Sequence, residues 1–265
     1  MAETVTGTGW TASRWLLTHS RAASPTAQLV CLPYAGGNSA VYRPWAQGLA
    51  PGVELLCADY PGHGRRFSEP LPRSMADLLP GLADEVAGAR NAPLYLFGHS
   101  MGGLVAFELA KELTRRGTPP AALFVSAVHP PQWNPRGNIH ELDDEALLER
   151  LVLLGGIPAE VLADQQLIEV VLPVLRADVR VRETYTPLPG PALPCPVTAL
   201  AGTGDRAVGA AEMAGWAQCT DGGFDQAEFP GGHFFLTDSA ALLGLLNRRL
   251  TAGRARKDQE RGRTR

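Results

Sequence analysis

No stretch of this 265-residue chain comes near the roughly 18 consecutive apolar residues that a bilayer-crossing helix needs, so no membrane association is expected. The first fifteen residues lack the charged start and apolar run of a secretory signal, which argues against export. Cysteine is scarce: Cys31, Cys57, Cys195 and Cys219 lie far apart and make no C-x-x-C pair. That spacing offers neither a zinc site nor a disulfide frame and fits free, mostly buried thiols in a reducing, cytoplasmic setting. Aromatic residues are missing from the one basic run, 251–265, which contributes +4 while the rest of the chain carries −7. Nucleic-acid binding is therefore not expected, and this run, without apolar periodicity, is expected to be a disordered tail. Repeats and low-complexity linkers are absent too. What is present is apolar mass, 45% of all residues, enough for the core of one large domain over 1–250.

Apolar runs alternate with helical patterns along this body. Residues 28–32, 53–58, 94–97, 122–126, 197–201 and 224–229 read as strands, and 42–49, 75–89, 101–116, 210–219 and 239–250 as helices. The alternation implies an α/β fold, a mostly parallel sheet with helices on both faces. One connection is too long for a simple crossover, because 70 residues separate Ser126 from Val197. Within it, Asp143 or Asp144 can cap a helix through Leu147, Leu148, Leu151 and Leu154 that Gly155 and Gly156 stop. Pro158 can open another through Val161, Leu162 and Leu167, with an interruption expected at Pro173. Residues 130–187, apolar on one side and placed beside the carboxyl edge of the sheet, read as a helical lid insertion over an acyl pocket.

The run Leu94-Tyr95-Leu96-Phe97-Gly98-His99-Ser100-Met101-Gly102-Gly103 is the most informative in the chain. It reads as a buried strand turning sharply through G-x-S-x-G into a helix, with Ser100 exposed at the apex and glycines where a Cβ would clash. With 29 glycines and nine serines, chance alone supplies about 0.1 such matches in a chain of this length, so context must decide. The apolar strand before it and the helical pattern of Leu104, Phe107, Glu108 and Lys111 after it supply that context.

A serine hydroxyl needs a base, and in this fold the order along the chain is serine, acid, histidine. Of six histidines, His19, His63, His129 and His140 precede the last strands, and His99 should point away from the open side of Ser100. Only His233, in Pro230-Gly231-Gly232-His233-Phe234, follows a late strand. The acid that orients it is Asp205, just past the strand 197–201, whereas Asp221 and Asp225 fall at the opposite edge of the sheet. Two N–H groups must meet an oxyanion. Met101 supplies one at a helix N-terminus, and Ala35, with Tyr34 as the alternative, supplies the other from the loop Pro33-Tyr34-Ala35-Gly36-Gly37.

At this point the sequence resembles the type II thioesterases, editing hydrolases of polyketide and nonribosomal peptide synthesis with the α/β-hydrolase fold. The resemblance spans about residues 16–250. It rests on Leu32-Pro33-Tyr34-Ala35-Gly36-Gly37, on Tyr60-Pro61-Gly62-His63-Gly64-Arg65-Arg66, on Gly98 through Gly103, on Leu175-Arg176-Ala177-Asp178 with Glu183-Thr184-Tyr185, and on Gly231-Gly232-His233-Phe234-Phe235. Gly204, directly before Asp205, departs from it. The resemblance implies a triad of Ser100, Asp205 and His233, an oxyanion hole of Met101 and Ala35, and no metal or cofactor. It also implies acyl or aminoacyl thioesters on the phosphopantetheine arms of acyl or peptidyl carrier proteins as substrates, and a monomer is the expected state. The competing readings are another serine α/β-hydrolase, such as a carboxylesterase or a chain-releasing thioesterase, and an inactive hydrolase fold that only binds ligands.

Overall fold

The computed structural model describes residues 13–153, 157, 159–238 and 240–263. Its sheet contains β1 (Leu16–Ser20), β2 (Ala27–Leu32), β3 (Val53–Ala58), β4 (Leu94–His99), β5 (Ala122–Ser126), β6 (Val197–Gly202) and β7 (Phe224–Phe229), in the spatial order β1-β3-β2-β4-β5-β6-β7. Every neighbouring pair is parallel except β1 with β3. The helices are α1 (Met75–Ala89), α2 (Met101–Arg115), α3 (Asp144–Leu153), α4 (Ala159–Leu162), α5 (Gln165–Glu183), α6 (Ala210–Met213) and α7 (Ala240–Arg263).

The central strands are apolar on both sides because helices cover both faces. Val30 and Leu32 of β2 and Leu94 and Leu96 of β4 pack with Leu78 and Leu82 of α1 and Leu104 of α2. Leu29, Cys31 and Phe97 point the other way, into a layer with Tyr42, Trp45 and the α7 leucines Leu242 and Leu246. Residue alternation along each strand thus divides the core into two sheets of contact. All four cysteines are free and buried within the fold.

The connection from β5 to β6 has its own small core, in which Leu147 and Leu151 of α3 meet Leu172, Leu175 and Val179 of α5. Asp164 caps α5, its carboxylate accepting the N–H groups of Gln166 and Leu167. The interruption expected at Pro173 does not occur, since α5 runs unbroken from Gln165 to Glu183. Proline removes one intrahelical hydrogen bond, and the buried stripe Leu172, Leu175 and Val179 on either side of it holds the helix together. The residues expected to end the first insertion helix and open the next, Leu154, Gly155, Gly156 and Pro158, lie outside the described residues.

Three other expectations need revision. β1 was not legible: it is a short edge strand in which only Leu16 is fully buried. The helix expected at 42–49 is a 3-10 helix over 39–47 with Pro44 inside it. The basic stretch expected to be disordered instead continues α7 as helical backbone to Arg263. Missing apolar periodicity bears on packing and not on backbone preference, and Ala, Arg, Lys, Gln and Glu all favour helix.

Candidate active site

At the end of β4 the chain reverses into α2 through Ser100, whose φ of 53° and ψ of −122° are unfavourable for a residue with a side chain. Two hydrogen bonds hold the turn: Ser100 N–H donates to the Ser126 carbonyl at 2.8 Å, and Gly103 N–H to the Ser100 carbonyl at 2.8 Å. The flanking glycines are required by contact. A Cβ on Gly98 would lie 2.1 Å from the Gly102 carbonyl oxygen, and one on Gly102 would lie 2.1 Å from that of Leu32.

His233 reaches the serine from the loop that follows β7. Its Nε2 lies 3.1 Å from Ser100 Oγ and its Nδ1 lies 2.8 Å from Asp205 Oδ2. With Nδ1–H donated to the carboxylate, Nε2 is free to accept from the hydroxyl. Asp205 stands in the turn after β6, where its Oδ1 accepts Ala207 N–H at 2.8 Å and Val208 N–H at 3.2 Å. Burial pushes the Asp205 carboxyl up, but the His233 hydrogen bond and charge and the two backbone N–H groups more than offset this and leave it below the usual range. The structure therefore brings Ser100, His233 and Asp205 into one chain of hydrogen bonds. By contrast, Asp225 sits at the far end of β7 and pairs with Arg249.

The remaining histidines have other surroundings. His19 bonds the Ser39 carbonyl, and His140 meets Glu183. His99 is fully buried beside His233, its Nδ1 2.8 Å from Ser126 Oγ. Burial, with the nearby His233, holds its pKa well below the ordinary imidazole value, so it packs as a neutral ring. Met101 is the first residue of α2, so its N–H has no acceptor four residues back. In the loop after β2, Gly36 N–H is taken by Asp178 Oδ2 at 2.7 Å and Gly37 N–H by the Tyr34 carbonyl at 2.9 Å. Tyr34 and Ala35 remain, and both border a cavity of about 240 Å³ that also exposes Ser100 and His233. Its other walls include Leu151, Leu175 and Val179 from the insertion. Among the described residues, no three His, Cys, Asp or Glu side chains cluster as a metal site requires.

One arrangement escaped sequence reasoning, although its residues stand in two of the quoted motifs. Asp178 of α5 is buried against His63, whose Nε2 lies 2.9 Å from the same Oδ2 that accepts Gly36 N–H. His63 Nδ1 faces the Pro61 carbonyl at 3.0 Å, so both ring nitrogens face acceptors, as only the imidazolium satisfies. Burial alone would lower the His63 pKa, but the Asp178 hydrogen bond and charge raise it above its ordinary value. The pair joins the insertion to the loop that carries Ala35. Nothing in the spacing of two residues 115 apart announces such a contact.

A mostly parallel sheet with a strained serine turn after its central strand, and a histidine and an aspartate on later loops, defines an α/β-hydrolase. The model of the thioesterase domain family matches residues 27–250. The chain is 36% identical over 227 residues to a probable cadicidin biosynthesis thioesterase of Streptomyces griseus, covering 86% of this chain and 63% of that protein. It superposes on the type II thioesterase BorB of the borrelidin biosynthetic cluster with a TM-score of 0.83 and 39% identity, covering 91% of this chain and 99% of that one. ClbQ of the colibactin NRPS/PKS pathway gives a TM-score of 0.81 at 30% identity, over 86% and 98% of the two chains. The chain belongs to the thioesterase family and groups with type II thioesterases of polyketide and nonribosomal peptide pathways.

The His63–Asp178 pair makes stability depend on pH. The folded pKa of His63 lies above its ordinary 6.5, so the pair's contribution is complete below that value and is lost as pH rises through the folded pKa. Asp178→Asn should cost about 3–5 kcal/mol at pH 6, as breaking a buried ion pair does. The deficit should shrink toward pH 9. Chemical denaturation of both proteins across this range reads it, and a deficit constant with pH would mean that His63 is uncharged.

Proposed function

We propose that this protein hydrolyses acyl and aminoacyl thioesters held on the phosphopantetheine arms of carrier proteins, clearing aberrant or stalled groups from an assembly line. The observation that carries the reading is the unbroken hydrogen-bond chain from Ser100 through His233 to Asp205 at the floor of a small, mostly apolar cavity. In this mechanism Ser100 Oγ attacks the thioester carbonyl while His233 Nε2 takes its proton, and Asp205 stabilises the imidazolium that forms. Negative charge moves to the carbonyl oxygen, where the N–H groups of Met101 and Ala35 receive it. The carbon–sulfur bond then breaks. A thiol with a pKa of about 8.5 is a good leaving group, and the departing sulfur takes the proton from His233 Nε2, which returns the imidazole to its neutral form. His233 next activates water, which attacks the acyl-serine and releases the free acid.

The wall formed by Leu151, Leu175 and Val179 supports reading residues 130–187 as a lid that limits acyl size. A cavity of about 240 Å³ suits short acyl groups, which accords with clearing small misplaced units while sparing bulky intermediates. Apolar contact discriminates by only about 1–3 kcal/mol per methylene, so selectivity should be graded.

The decisive experiment is a hydrolysis panel of carrier-bound acetyl, propionyl, longer acyl and aminoacyl groups, run beside the matching oxygen esters. Preference for the oxygen esters would favour a carboxylesterase. Ser100→Ala should lower turnover by about three orders of magnitude or more, His233→Ala nearly as much, and the double variant little further, since such residues act as a unit. Additive losses would refute the pairing. Asp205→Asn should be severe and Asp225→Asn close to neutral. Replacing Leu151 by Ala or Phe should shift the chain-length profile while Ser100 still reacts with a fluorophosphonate, and an unchanged profile would leave the insertion a purely structural element.

A further inference from the structure

The cavity beside Ser100 contains one residue that an apolar acyl pocket has no use for. Leu175, Val179 and Arg182 fall at i, i+4 and i+7 along α5, which places them in one stripe, and all three line the cavity. The first two supply apolar wall. Arg182 supplies a guanidinium with no hydrogen bond or ion pair among the described residues, although the residue is partly buried. Its chain neighbour Glu183 does not serve as partner. That carboxylate is already engaged by the N–H groups of Ile139 and His140 and by His140 Nδ1.

An arginine so placed is costly without a counter-charge. Burial lowers its pKa, with Glu183 opposing, but a guanidinium stays protonated at any physiological pH. The charge also reaches another polar group of the wall, His129. His129 has its pKa lowered first by burial and then by Arg182, and its Nδ1 is buried without a hydrogen-bond partner among the described residues. The wall thus holds a fixed cation and a neutral imidazole, both with polar atoms unspent. A planar fork of five N–H donors is matched by a carboxylate, which it binds through two parallel hydrogen bonds.

We propose that the acyl cavity is built for acyl groups ending in a carboxylate, the half-thioesters of dicarboxylic acids, with Arg182 as the residue that selects them. The proposal rests on the thioesterase reading of Ser100 and names the substrate class of that same site. A thioester carbonyl held at Ser100 leaves the far end of a short acyl chain within the cavity, where Arg182 provides the only fixed charge among the lining residues.

The test uses N-acetylcysteamine thioesters of malonate, succinate and glutarate, each paired with the analogue of equal length whose carboxylate is replaced by an isopropyl group. The expected result is a kcat/KM preference of about 10- to 100-fold for the carboxylate in at least one pair, the scale of a charge-assisted hydrogen bond. Arg182→Met, similar in length and uncharged, should abolish that ratio, and Arg182→Lys should restore part of it. Arg182→Glu should turn the preference toward a β-alanyl thioester. A wild-type enzyme preferring the isopropyl member of every pair, or a ratio unmoved in Arg182→Met, would overturn the proposal. Hydrolysis of no thioester at all would instead sink the thioesterase reading. In that event calorimetric binding of the succinyl pair to Ser100→Ala, with and without Arg182→Met, still decides the role of Arg182: a carboxylate preference lost with the arginine supports it, and equal binding refutes it.

Discussion

The whole architecture turns on one close approach of backbone to backbone. Between Gly98, Gly102 and the Leu32 carbonyl there is no room for even a methyl group, so β4 and α2 meet at a distance that only glycine allows. That contact forces Ser100 into its unfavourable conformation, which costs on the order of 1–3 kcal/mol. Packing offsets the strain: α2 is buried along most of its length, and β4 lies between β2 and β5 with every residue buried. A second glycine contact works the same way on the far side of the site. A Cβ on Gly202 would stand 2.5 Å from the Gly232 carbonyl oxygen, so the end of β6 and the His233 loop also touch backbone to backbone.

Electrostatics around the serine follow from this crowding. His233 and His99 lie with ring centroids 5.4 Å apart. Two imidazolium ions at that spacing would repel, and the complete burial of His99 removes the problem by keeping it neutral. His99, Tyr34 and Phe234 form an aromatic bed around the imidazole. The charge of Asp205 is confined in turn to one partner on Oδ2 and to two backbone donors on Oδ1. Few alternative geometries remain open to the three groups.

Much of this was legible in the chain because it is local. The G-x-S-x-G turn announces itself within five residues, chain order separates His233 from the other histidines, and the sheet edge each occupies separates Asp205 from Asp221 and Asp225. Six of the seven strands were read directly, β7 among them although only its Phe229 is buried, whereas β1, buried only at Leu16, was not. Pro173 misled because proline's local preference yields to a buried apolar stripe on the same helix. Long-range pairings left no local trace. His63 and Asp178 are recognisable as members of motifs, but their mutual contact, and the place of Arg182 on the wall of the cavity that Ser100 also lines, depend on how α5 lies across the sheet edge.

That lie of α5 has a mechanical side. Asp178 Oδ2 is the shared acceptor of Gly36 N–H and His63 Nε2, so lifting α5 bodily would strip two donors of their partner at once. A rotation about Asp178 strips neither. About that carboxylate as a pivot, the thirteen residues back to Gln165 would form a lever arm of about 20 Å. A tilt of roughly three degrees would displace the Gln165 end by about 1 Å. The loop bearing Ala35, pinned at the pivot, stays where it is.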